Sequence, residues 1–453
     1  MPHSSFAVVG GGLAGCECAL RLARAGHTVT LFEQKPRFRS PAHVSDQLAE
    51  LVCSNSLRSD ERTSGVGLLK AEMRALGSVF MELADACRVP AGKALAVDRE
   101  AFSRAMTDAV AAQPGITLRH ERIDSLDAEE LARNGSAGIV IAAGPLASEG
   151  LSASLAATIG GEHCYFYDAI APIVWTHSLD MSVVFRASRY GAENGEAEDE
   201  GDYLNCPMTR EEYETFFAAL CEGRVMETRD FEKEVHFEGC MPLEALARRG
   251  SRTLTFGPLK PVGFVDPRTG RRPWAVLQLR AENANAGACN LVGCQTKLLQ
   301  PEQERIFRLV PGMERAEFAR FGSMHRNTYV NAPVALTPDL ALKRRPGVYL
   351  AGQISGVEGY VESAASGLWL GLALAARTQG RSLPTPPPET ALGALLGHLQ
   401  RPEKRFQPSN VHFGLMPELD ERARKKERKA LYATRAETAF AGWLAASGLG
   451  GRD

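Results

Sequence analysis

The start of the chain carries the pattern that most restricts its fold: strand, glycine loop, helix and strand in close succession. Residues 6–9 (FAVV) are apolar and partly β-branched, which favours a strand. Residues 10–15 (GGGLAG) follow, and residues 17–25 have the leucine spacing of a helix that ends at Gly26. Residues 27–32 (HTVTLF) predict the next strand. This order predicts an α/β fold with a parallel sheet.

The glycine loop has the spacing of a dinucleotide-binding motif. Gly10, Gly12 and Gly15 form GxGxxG, in which the glycines allow a tight turn, a close approach to pyrophosphate and close helix packing. Glu33 ends the second predicted strand, where a carboxylate accepts hydrogen bonds from ribose hydroxyls. Because all these parts are in register, a bound dinucleotide is favoured over a glycine loop without a cofactor.

Two later segments favour FAD over NAD as that cofactor. Residues 138–144 (GIVIAAG) and 347–352 (GVYLAG) each predict a strand that ends in glycine. Residues 363–375 then predict a helix rich in small residues. A helix N-terminus delivered late in the chain to the same fold suits the electron-accepting edge of a flavin. Three further cofactor-binding glycines are therefore predicted: Gly144, Gly352 and Gly356.

The length of 453 residues is about three times that of a usual domain, so an insertion or additional domains are expected. We predict a Rossmann-type, glutathione-reductase-like FAD-binding domain that is interrupted by an inserted mixed α+β domain. The predicted boundaries are residues 1–175 and 334–383 for the two parts of the FAD-binding domain, 176–333 for the substrate-side insertion, and 384–453 for a basic C-terminal helical segment. Within the insertion, strands are predicted at residues 181–186, 253–256 and 275–279, and a helix at 209–220.

The charge distribution is uneven along the chain. The net charge is −2, so a nucleic acid would have to be held by a local basic patch. Residues 401–435 contain ten Lys or Arg against five Asp or Glu, which fits either a solvated helix face or a phosphate-contacting patch. Residues 191–202 carry six acids and no base, which predicts a solvated loop.

Composition and cysteine usage indicate an ordinary globular protein of the cytoplasm. Apolar residues make up 44% and charged residues 23%, and no apolar run of about 18 residues or signal-peptide layout is apparent. The ten cysteines are dispersed without a CxxC pair or zinc-type spacing, so no metal site is predicted. Most are expected to be reduced and buried. Cys53, which follows an apolar run and precedes Ser-Asn-Ser, leaves three roles open: packing, nucleophile or half of a redox pair.

Several sequence blocks, spread from Phe6 to about Trp443, resemble the TrmFO family of folate- and FAD-dependent tRNA (uracil-5-)-methyltransferases. Besides the glycine loop and Glu33, these blocks are CSNS at 53–56, GVGLLKAEM at 65–73, VPAGKALAVD at 89–98, YLNCPM at 203–208, CMP at 240–242, FGPLKPVGFVDPR at 256–268, HRNTYVN at 325–331 and GVEGYVESAASG at 356–367. The acidic loop at 191–202 departs from the family pattern.

The resemblance implies FAD as cofactor, methylenetetrahydrofolate as carbon donor, NAD(P)H as reductant and a uridine of the tRNA T-loop as substrate. It also implies that Cys240 adds to uracil and that Cys53 lies near the flavin. Cys206 is a third candidate, for which buried packing is favoured. Which of the two roles belongs to Cys240 and which to Cys53 stays open.

The chemistry of uracil independently requires a cysteine of this kind. C5 of uracil is a poor nucleophile, and a thiolate that adds to C6 generates an enolate at C5. A second group must then manage the C5 proton of the flipped base. Cys240 precedes a helix predicted to start near Leu243, and a helix N-terminus favours a thiolate. Contacts to folate or substrate are predicted for His325, Arg326, Asn327, Lys260 and Arg280.

Two other functions remain open from the sequence: the same chemistry on ribosomal RNA, and a catalytically silent flavin-containing RNA-binding protein. The glucose-inhibited division-type flavoproteins share the fold, but the two cysteine motifs argue against their activity here. The oligomeric state is not predicted.

Overall fold

The computed structural model describes residues 4–40, 42–160, 164–189, 201–226, 241–403, 406–419 and 424–449. Cys240 lies outside these residues, as does the predicted acidic loop except for Gly201 and Asp202. The strands are β1 (Ser5–Val9), β2 (Thr28–Glu33), β3 (Ser56–Ser59), β4 (Arg88–Val89), β5 (Ala94–Val97), β6 (Ile116–His120), β7 (Gly138–Ile141), β8 (Cys164–Ala169), β9 (Ile173–Trp175), β10 (Phe185–Ala187), β11 (Tyr203–Met208), β12 (Ala275–Ala281), β13 (Ala288–Leu291), β14 (Phe318–Arg320), β15 (Met324–Tyr329), β16 (Ala341–Leu342) and β17 (Arg345–Leu350).

Helices occur throughout the described chain, with 3-10 turns at Thr176–Ser178, Gln353–Ser355 and Phe413–Leu415. The α-helices are α1 (Leu13–Arg24), α2 (Gly65–Ala75), α3 (Val79–Ala86), α4 (Arg99–Ala112), α5 (Glu129–Asn134), α6 (Glu149–Ile159), α7 (Arg210–Glu222), α8 (Leu243–Ala247), α9 (Thr253–Phe256), α10 (Gln300–Phe307), α11 (Ala332–Ala335), α12 (Tyr360–Thr378), α13 (Ala391–His398) and α14 (Lys425–Ser447).

The first of two large sheets has six strands in the order β16-β17-β7-β1-β2-β6. All neighbours pair in parallel except β16, which is antiparallel to β17. The central strands β1 and β7 are almost entirely apolar and buried, as expected where helices cover a parallel sheet. Strand β17, which is distant in sequence, thus pairs with β7, as the Rossmann-type prediction requires, and that fold class is confirmed.

The parallel sheet and the helices that cover it share one hydrophobic core, which we call the first core. Helix α12 packs closely across α1 in this core. A Cβ at Gly367 would lie 2.1 Å from the carbonyl oxygen of Ala14, so only glycine permits this crossing. Both helices start near the carboxyl ends of the parallel strands, which is where open α/β sheets bind ligands.

Two buried glutamates stabilise helix starts in the same core. Glu17 of α1 accepts hydrogen bonds from the backbone N–H groups of Val79 and Phe80 at 3.2 and 2.7 Å. Glu72 of α2 accepts from those of Ala391 and Leu392 at 2.8 and 2.7 Å. A carboxylate at a helix N-terminus is favoured by the macrodipole, so α1 and α2 fix the positions of α3 and α13.

The second large sheet is antiparallel, with six strands in the order β10-β11-β12-β13-β9-β14, and is covered by α7, α8, α9 and α10. Its own core extends in sequence from Val174 to Ala316, and Phe318 packs against it. A capping box formed by Thr209 and Glu212 starts α7, and this helix confirms the one predicted at 209–220. Two smaller antiparallel sheets, β3-β5-β4 and β15-β8, lie outside these two large sheets.

One predicted strand of the insertion is wrong, and another is only partly confirmed. The run at 253–256 forms the short helix α9, in which Leu254 is buried and Phe256 is exposed. The run predicted at 181–186 begins with a turn, and its strand is limited to Phe185–Ala187. A short apolar run does not by periodicity alone distinguish a strand from a helical turn, and tertiary packing decided both cases.

The C-terminal helices α13 and α14 add Leu392, Tyr432, Phe440 and Trp443 to the first core. The indole Nε1 of Trp443 donates a hydrogen bond to the carbonyl oxygen of Pro384 at 2.9 Å, which ties α14 to the predicted linker. Among the described residues, none of the helices has the length and apolar content that a membrane span requires.

Candidate functional site

The glycine loop between β1 and α1 shows three distinct glycine requirements. Gly10 has φ +106°, and a Cβ there would lie 2.4 Å from the carbonyl oxygen of Ala142 in the segment after β7. A Cβ at Gly15 would lie 1.9 Å from the carbonyl oxygen of Gly10. A Cβ at Gly12 would meet no protein atom within 4 Å, because Gly12 lines an open cleft. Gly10 and Gly15 therefore close the turn, and Gly12 leaves room for a ligand.

Glu33 is held in place for a ligand at the end of β2. Its Oε2 accepts a hydrogen bond from the backbone N–H of Gly11 at 2.9 Å, and its Oε1 accepts one from that of Lys35 at 2.9 Å. The carboxylate is buried and lines the same cleft. Each carboxylate oxygen retains capacity for a further donor, which a ribose hydroxyl provides.

The cleft contains about 1050 Å³ of space not filled by protein, including its open part. Gly144 and Gly352 line it together with Gly10, Gly12 and Glu33. Gly356 has φ +102° and packs instead against Phe406, so its role is to form the turn before α12. The structure thus brings five of the seven predicted cofactor residues to one cleft, and Gly15 lies directly beneath its loop.

Helix α12 presents its N-terminus to the cleft, where Tyr360 and Ser363 are lining residues. The positive end of the helix dipole favours negative charge on a reduced flavin. The open face at Gly12, the ribose acceptor Glu33 and this helix start together fit FAD.

Cys53 lies half-buried beside this cleft, next to the lining residue Val52. The hydroxyl oxygen of Tyr360 accepts hydrogen bonds from the backbone N–H groups of Cys53 at 2.7 Å and Ser54 at 3.3 Å. Burial, followed by the neighbouring Cys53 thiol, raises the pKa of Tyr360, so the hydroxyl stays protonated. Two accepted hydrogen bonds leave the hydroxyl hydrogen free to donate towards the cleft.

Two arginines of the antiparallel sheet fix the Cys53 loop from the other side. Arg280 of β12 donates from Nε to Asn55 Oδ1 at 2.8 Å and from Nη2 to Ser54 Oγ at 2.7 Å. Burial lowers the pKa of the Arg280 guanidinium. Arg320 of β14 donates from Nη1 to the carbonyl oxygen of Val52 at 3.0 Å. The loop therefore joins the two halves of the molecule.

Tyr360 and Arg320 are absent from the residues predicted for the site. Tyr360 stands in the GVEGYVESAASG block, immediately before the small residues of α12, and that position is a signal for it. Arg320 has no such signal, because its contact with Val52 joins segments that are distant in sequence.

The predicted substrate residues fall in three different places. His325, Arg326 and Asn327 belong to β15, where the backbone N–H of the next residue, Thr328, donates to the carbonyl oxygen of Pro145 at the cleft edge at 2.9 Å. Arg280 holds the Cys53 loop. Lys260 lines a separate surface pocket around Trp274, and the structure does not bring it to the cleft.

Of the other two candidate cysteines, the structure describes Cys206 but not Cys240. Cys206 in β11 is fully buried, and burial raises the pKa of its thiol, which fits packing. Cys240 lies outside the described residues, so its predicted role as nucleophile is carried by the sequence. Helix α8 does begin at Leu243, as expected.

Comparison with known proteins identifies the relatives of this chain. The family model for glucose inhibited division protein A matches residues 5–382. A structure of Aquifex aeolicus GidA has a TM-score of 0.69 at 17% identity and covers 99% of this chain and 74% of its own, which shows a shared fold.

Curated relatives are far more similar in sequence. The protein of Nitratidesulfovibrio vulgaris strain Hildenborough is 65% identical over 98% of this chain and 93% of its own length. That of Lawsonia intracellularis is 57% identical over 97% of each chain, and that of Geobacter sulfurreducens is 54% identical over 97% of this chain and 98% of its own. All three are named methylenetetrahydrofolate–tRNA-(uracil-5-)-methyltransferase TrmFO. The chain belongs to the glucose inhibited division protein A family of flavoproteins and, within it, to the TrmFO group.

Proposed function

We propose that this protein methylates C5 of a uridine in the T-loop of tRNA, with methylenetetrahydrofolate as the carbon donor and FAD as its cofactor. The observation that carries this proposal is the position of Cys53, whose backbone is hydrogen-bonded to Tyr360 at the edge of the dinucleotide cleft. The nearly full-length TrmFO relatives support the same donor and substrate class.

The first core provides the cofactor site. Gly12 leaves the loop open to a pyrophosphate, and Glu33 accepts hydrogen bonds from ribose hydroxyls. Bound FAD, after reduction by NAD(P)H, supplies the two electrons that convert a methylene into a methyl group.

The chemistry at uracil requires a thiolate, for which Cys240 is our candidate. Its sulfur forms a bond to C6, and the electron pair of the C5–C6 double bond moves towards C5 and O4. C5 then attacks the methylene carbon of the donor as its first C–N bond breaks, and removal of the C5 proton is coupled to breaking of the second C–N bond, which leaves tetrahydrofolate. Addition of a hydride equivalent, which reduced flavin would supply, to the methylene carbon then expels the sulfur from C6 and restores the C5–C6 double bond. The uridine must be flipped out of its stack to meet this thiolate.

Cys53 is our candidate for the second cysteine, beside the flavin. Its backbone is fixed by Tyr360, and its loop by Arg280 and Arg320. These contacts support a role for the half-buried Cys53 thiol in proton transfer or in protection of a reactive methylene.

The donor pocket is proposed beside β15. The strand passes the cleft edge at Pro145, so His325, Arg326 and Asn327 are proposed contacts for the pterin and its acidic tail. Arg280 acts on this site through the Cys53 loop, and Lys260 is better placed for a different ligand surface.

The test is mass-spectrometric mapping of methylated nucleotides after incubating the purified holoenzyme with methylenetetrahydrofolate, NAD(P)H and total RNA. We expect 5-methyluridine in tRNA, and its loss in Cys240→Ala. The matched control is Cys221→Ala, which changes a half-buried cysteine of α7. Methylation confined to ribosomal RNA would support the alternative substrate, and RNA binding without methylation would support the silent flavoprotein. Full activity of Cys240→Ala would contradict the assigned nucleophile.

A further inference from the structure

A second pocket lies at the end of the antiparallel sheet that is remote from the Cys53 loop. It opens between the start of α7, helix α9 and the turn before β12. Its space not filled by protein is about 1680 Å³, including the open part. We call seven of its lining residues the cation–aromatic patch: Arg210, Arg252, Phe256, Lys260, Arg271, Arg272 and Trp274.

Alternating cationic and aromatic planes form the centre of this patch. The guanidinium of Arg210 lies 5.3 Å from the ring centroid of Trp274, and that of Arg252 lies 5.8 Å from the same centroid. Arg252 also lies 5.2 Å from the ring centroid of Phe256. These distances are within the range of cation–π attraction. The stack ends at Phe256, which is 70% exposed.

The charge of the patch is strongly positive in a chain whose net charge is −2. Five of the charged lining residues are cations, and Asp266 is the one anion among them. Asp266 is buried and paired with Arg268 at 3.1 Å, so it does not neutralise the patch. Arg210 is paired with Glu214 at 2.7 Å, but within the described part of the chain no carboxylate forms a salt bridge with Arg252, Arg271 or Arg272.

We propose that the cation–aromatic patch binds an unpaired stretch of the tRNA substrate, with a base stacked on Phe256 and phosphates held by Arg271 and Arg272. This inference rests on the proposed function for the identity of the RNA. Phosphate contacts supply affinity, and stacking on an exposed aromatic ring selects unpaired bases over a continuous duplex.

The position of the patch suits RNA that also reaches the cleft. Strand β12 begins directly after Trp274, and near its other end Arg280 binds Ser54 of the Cys53 loop. At about 3.3 Å per residue, Trp274 and Arg280 are roughly 20 Å apart. A stacked strand with a rise of about 3.4 Å spans this separation in roughly six nucleotides. The patch is thus suited to nucleotides outside the one that is methylated.

The test compares holoenzyme variants by fluorescence anisotropy with a labelled tRNA transcript over a range of salt concentrations. In Arg271→Ala/Arg272→Ala we expect the slope of log Kd against log salt to fall by about 1.4 to 1.8, which corresponds to about two lost phosphate contacts. In Phe256→Leu we expect Kd to rise about tenfold with the slope unchanged, because stacking is lost and charge is not. The matched control Arg24→Ala/Arg104→Ala removes two exposed cations from α1 and α4.

Steady-state methylation provides a second readout. We expect the patch variants to raise KM for tRNA and to leave kcat unchanged, because the patch lies away from the reacting base. Equal slopes for the patch double variant and the control would overturn the phosphate assignment, and wild-type affinity of Phe256→Leu would overturn the stacking assignment. Loss of a dimer in the patch variants, with RNA affinity unchanged, would assign the surface to a second copy of the chain. A wild-type enzyme that binds tRNA through the patch and forms no 5-methyluridine would refute the proposed function alone.

Discussion

The nucleotide cleft and the Cys53 loop lie side by side but are built in different ways. One side of the cleft depends on backbone geometry within the first 33 residues, where the glycine loop and the carboxylate of Glu33 shape the space. The Cys53 loop depends on side chains from residues 280, 320 and 360, which belong to three other segments. The glycine loop and Glu33 are therefore local features of the chain, whereas placement of the cysteine depends on segments that are distant in sequence.

The largest expected effect breaks the cleft itself. In Gly15→Ala the new Cβ would lie 1.9 Å from the carbonyl oxygen of Gly10, and neither backbone can shift freely. We expect the free energy of unfolding to fall by about 3 kcal/mol or more, with loss of bound FAD. Thermal denaturation and the ratio of flavin to protein absorbance measure both effects.

Gly12→Ala is the matched control for that change. Its Cβ would meet no protein atom within 4 Å, so we expect stability without FAD to change by less than about 1 kcal/mol. FAD affinity should fall, because the methyl group enters the space left for the pyrophosphate. Equal stability of the Gly15→Ala and wild-type proteins would contradict the local account of the cleft.

The second prediction concerns Arg280, which holds the Cys53 loop from a distant part of the sequence. Arg280→Met keeps much of the volume but leaves Asn55 Oδ1 and Ser54 Oγ without their donor. We expect the free energy of unfolding to fall by about 2 to 3 kcal/mol and methylation to fall at least about tenfold, with FAD still bound. Arg186→Met, an exposed arginine of the same sheet, is the control and should remain close to wild type. If Arg280→Met lost FAD but kept the wild-type methylation rate per bound flavin, Arg280 would support cofactor binding and not the position of Cys53.

The third prediction removes a single hydroxyl from the same support. Tyr360→Phe leaves the N–H groups of Cys53 and Ser54 without their acceptor, which costs about 1 to 2 kcal/mol. We expect kcat for methylation to fall while KM for tRNA stays constant. Tyr349→Phe removes the hydroxyl that accepts from Arg377, away from the loop, and controls for the loss of a buried hydroxyl. A matching decrease in both variants would mean that Tyr360 has only a structural role.

The smallest expected effect concerns pH and the first core. Burial raises the pKa of Glu72 to about 7, above its ordinary value of 4.5. Between these values the folded protein binds more protons than the unfolded chain, so the contribution of Glu72 to stability decreases as pH rises and is lost above about 7. We expect Glu72→Gln to remove about 1 kcal/mol of this decrease between about pH 5.5 and 6.5.

Chemical denaturation at several pH values measures that difference. Glu17→Gln provides a comparison, because burial also raises the pKa of Glu17 to about 7 and its carboxylate likewise accepts from two N–H groups at the start of a helix. If the free energy of unfolding of Glu72→Gln depended on pH in the same way as that of the wild type does, the pKa of Glu72 would be the same in the folded and unfolded states.

The same contrast explains what the sequence predicted. The βαβ start, Glu33 and the late strand before α12 were predictable because their signals are local: glycine spacing, apolar runs and a terminal acid. The contacts of Arg320 and Tyr360 with residues 52–54 were not, because they arise only when distant segments meet. The short run at 253–256 was mistaken for a strand, since four residues carry too little periodicity. Lys260 was predicted as a folate or substrate contact because the acidic tail of folate needs cations, and that reasoning had no information on which end of the sheet Lys260 occupies.

The most direct test of the central claim, that the fold places Cys53 beside the flavin, is its rate of alkylation with and without FAD. Iodoacetamide labelling followed by peptide mass spectrometry reports Cys53 separately from Cys87 and Cys221, which are also half-buried and serve as internal controls. We predict that FAD slows alkylation of Cys53 by about tenfold and leaves the two controls unchanged. Equal alkylation of Cys53 in the FAD-loaded and FAD-depleted protein would contradict the claim.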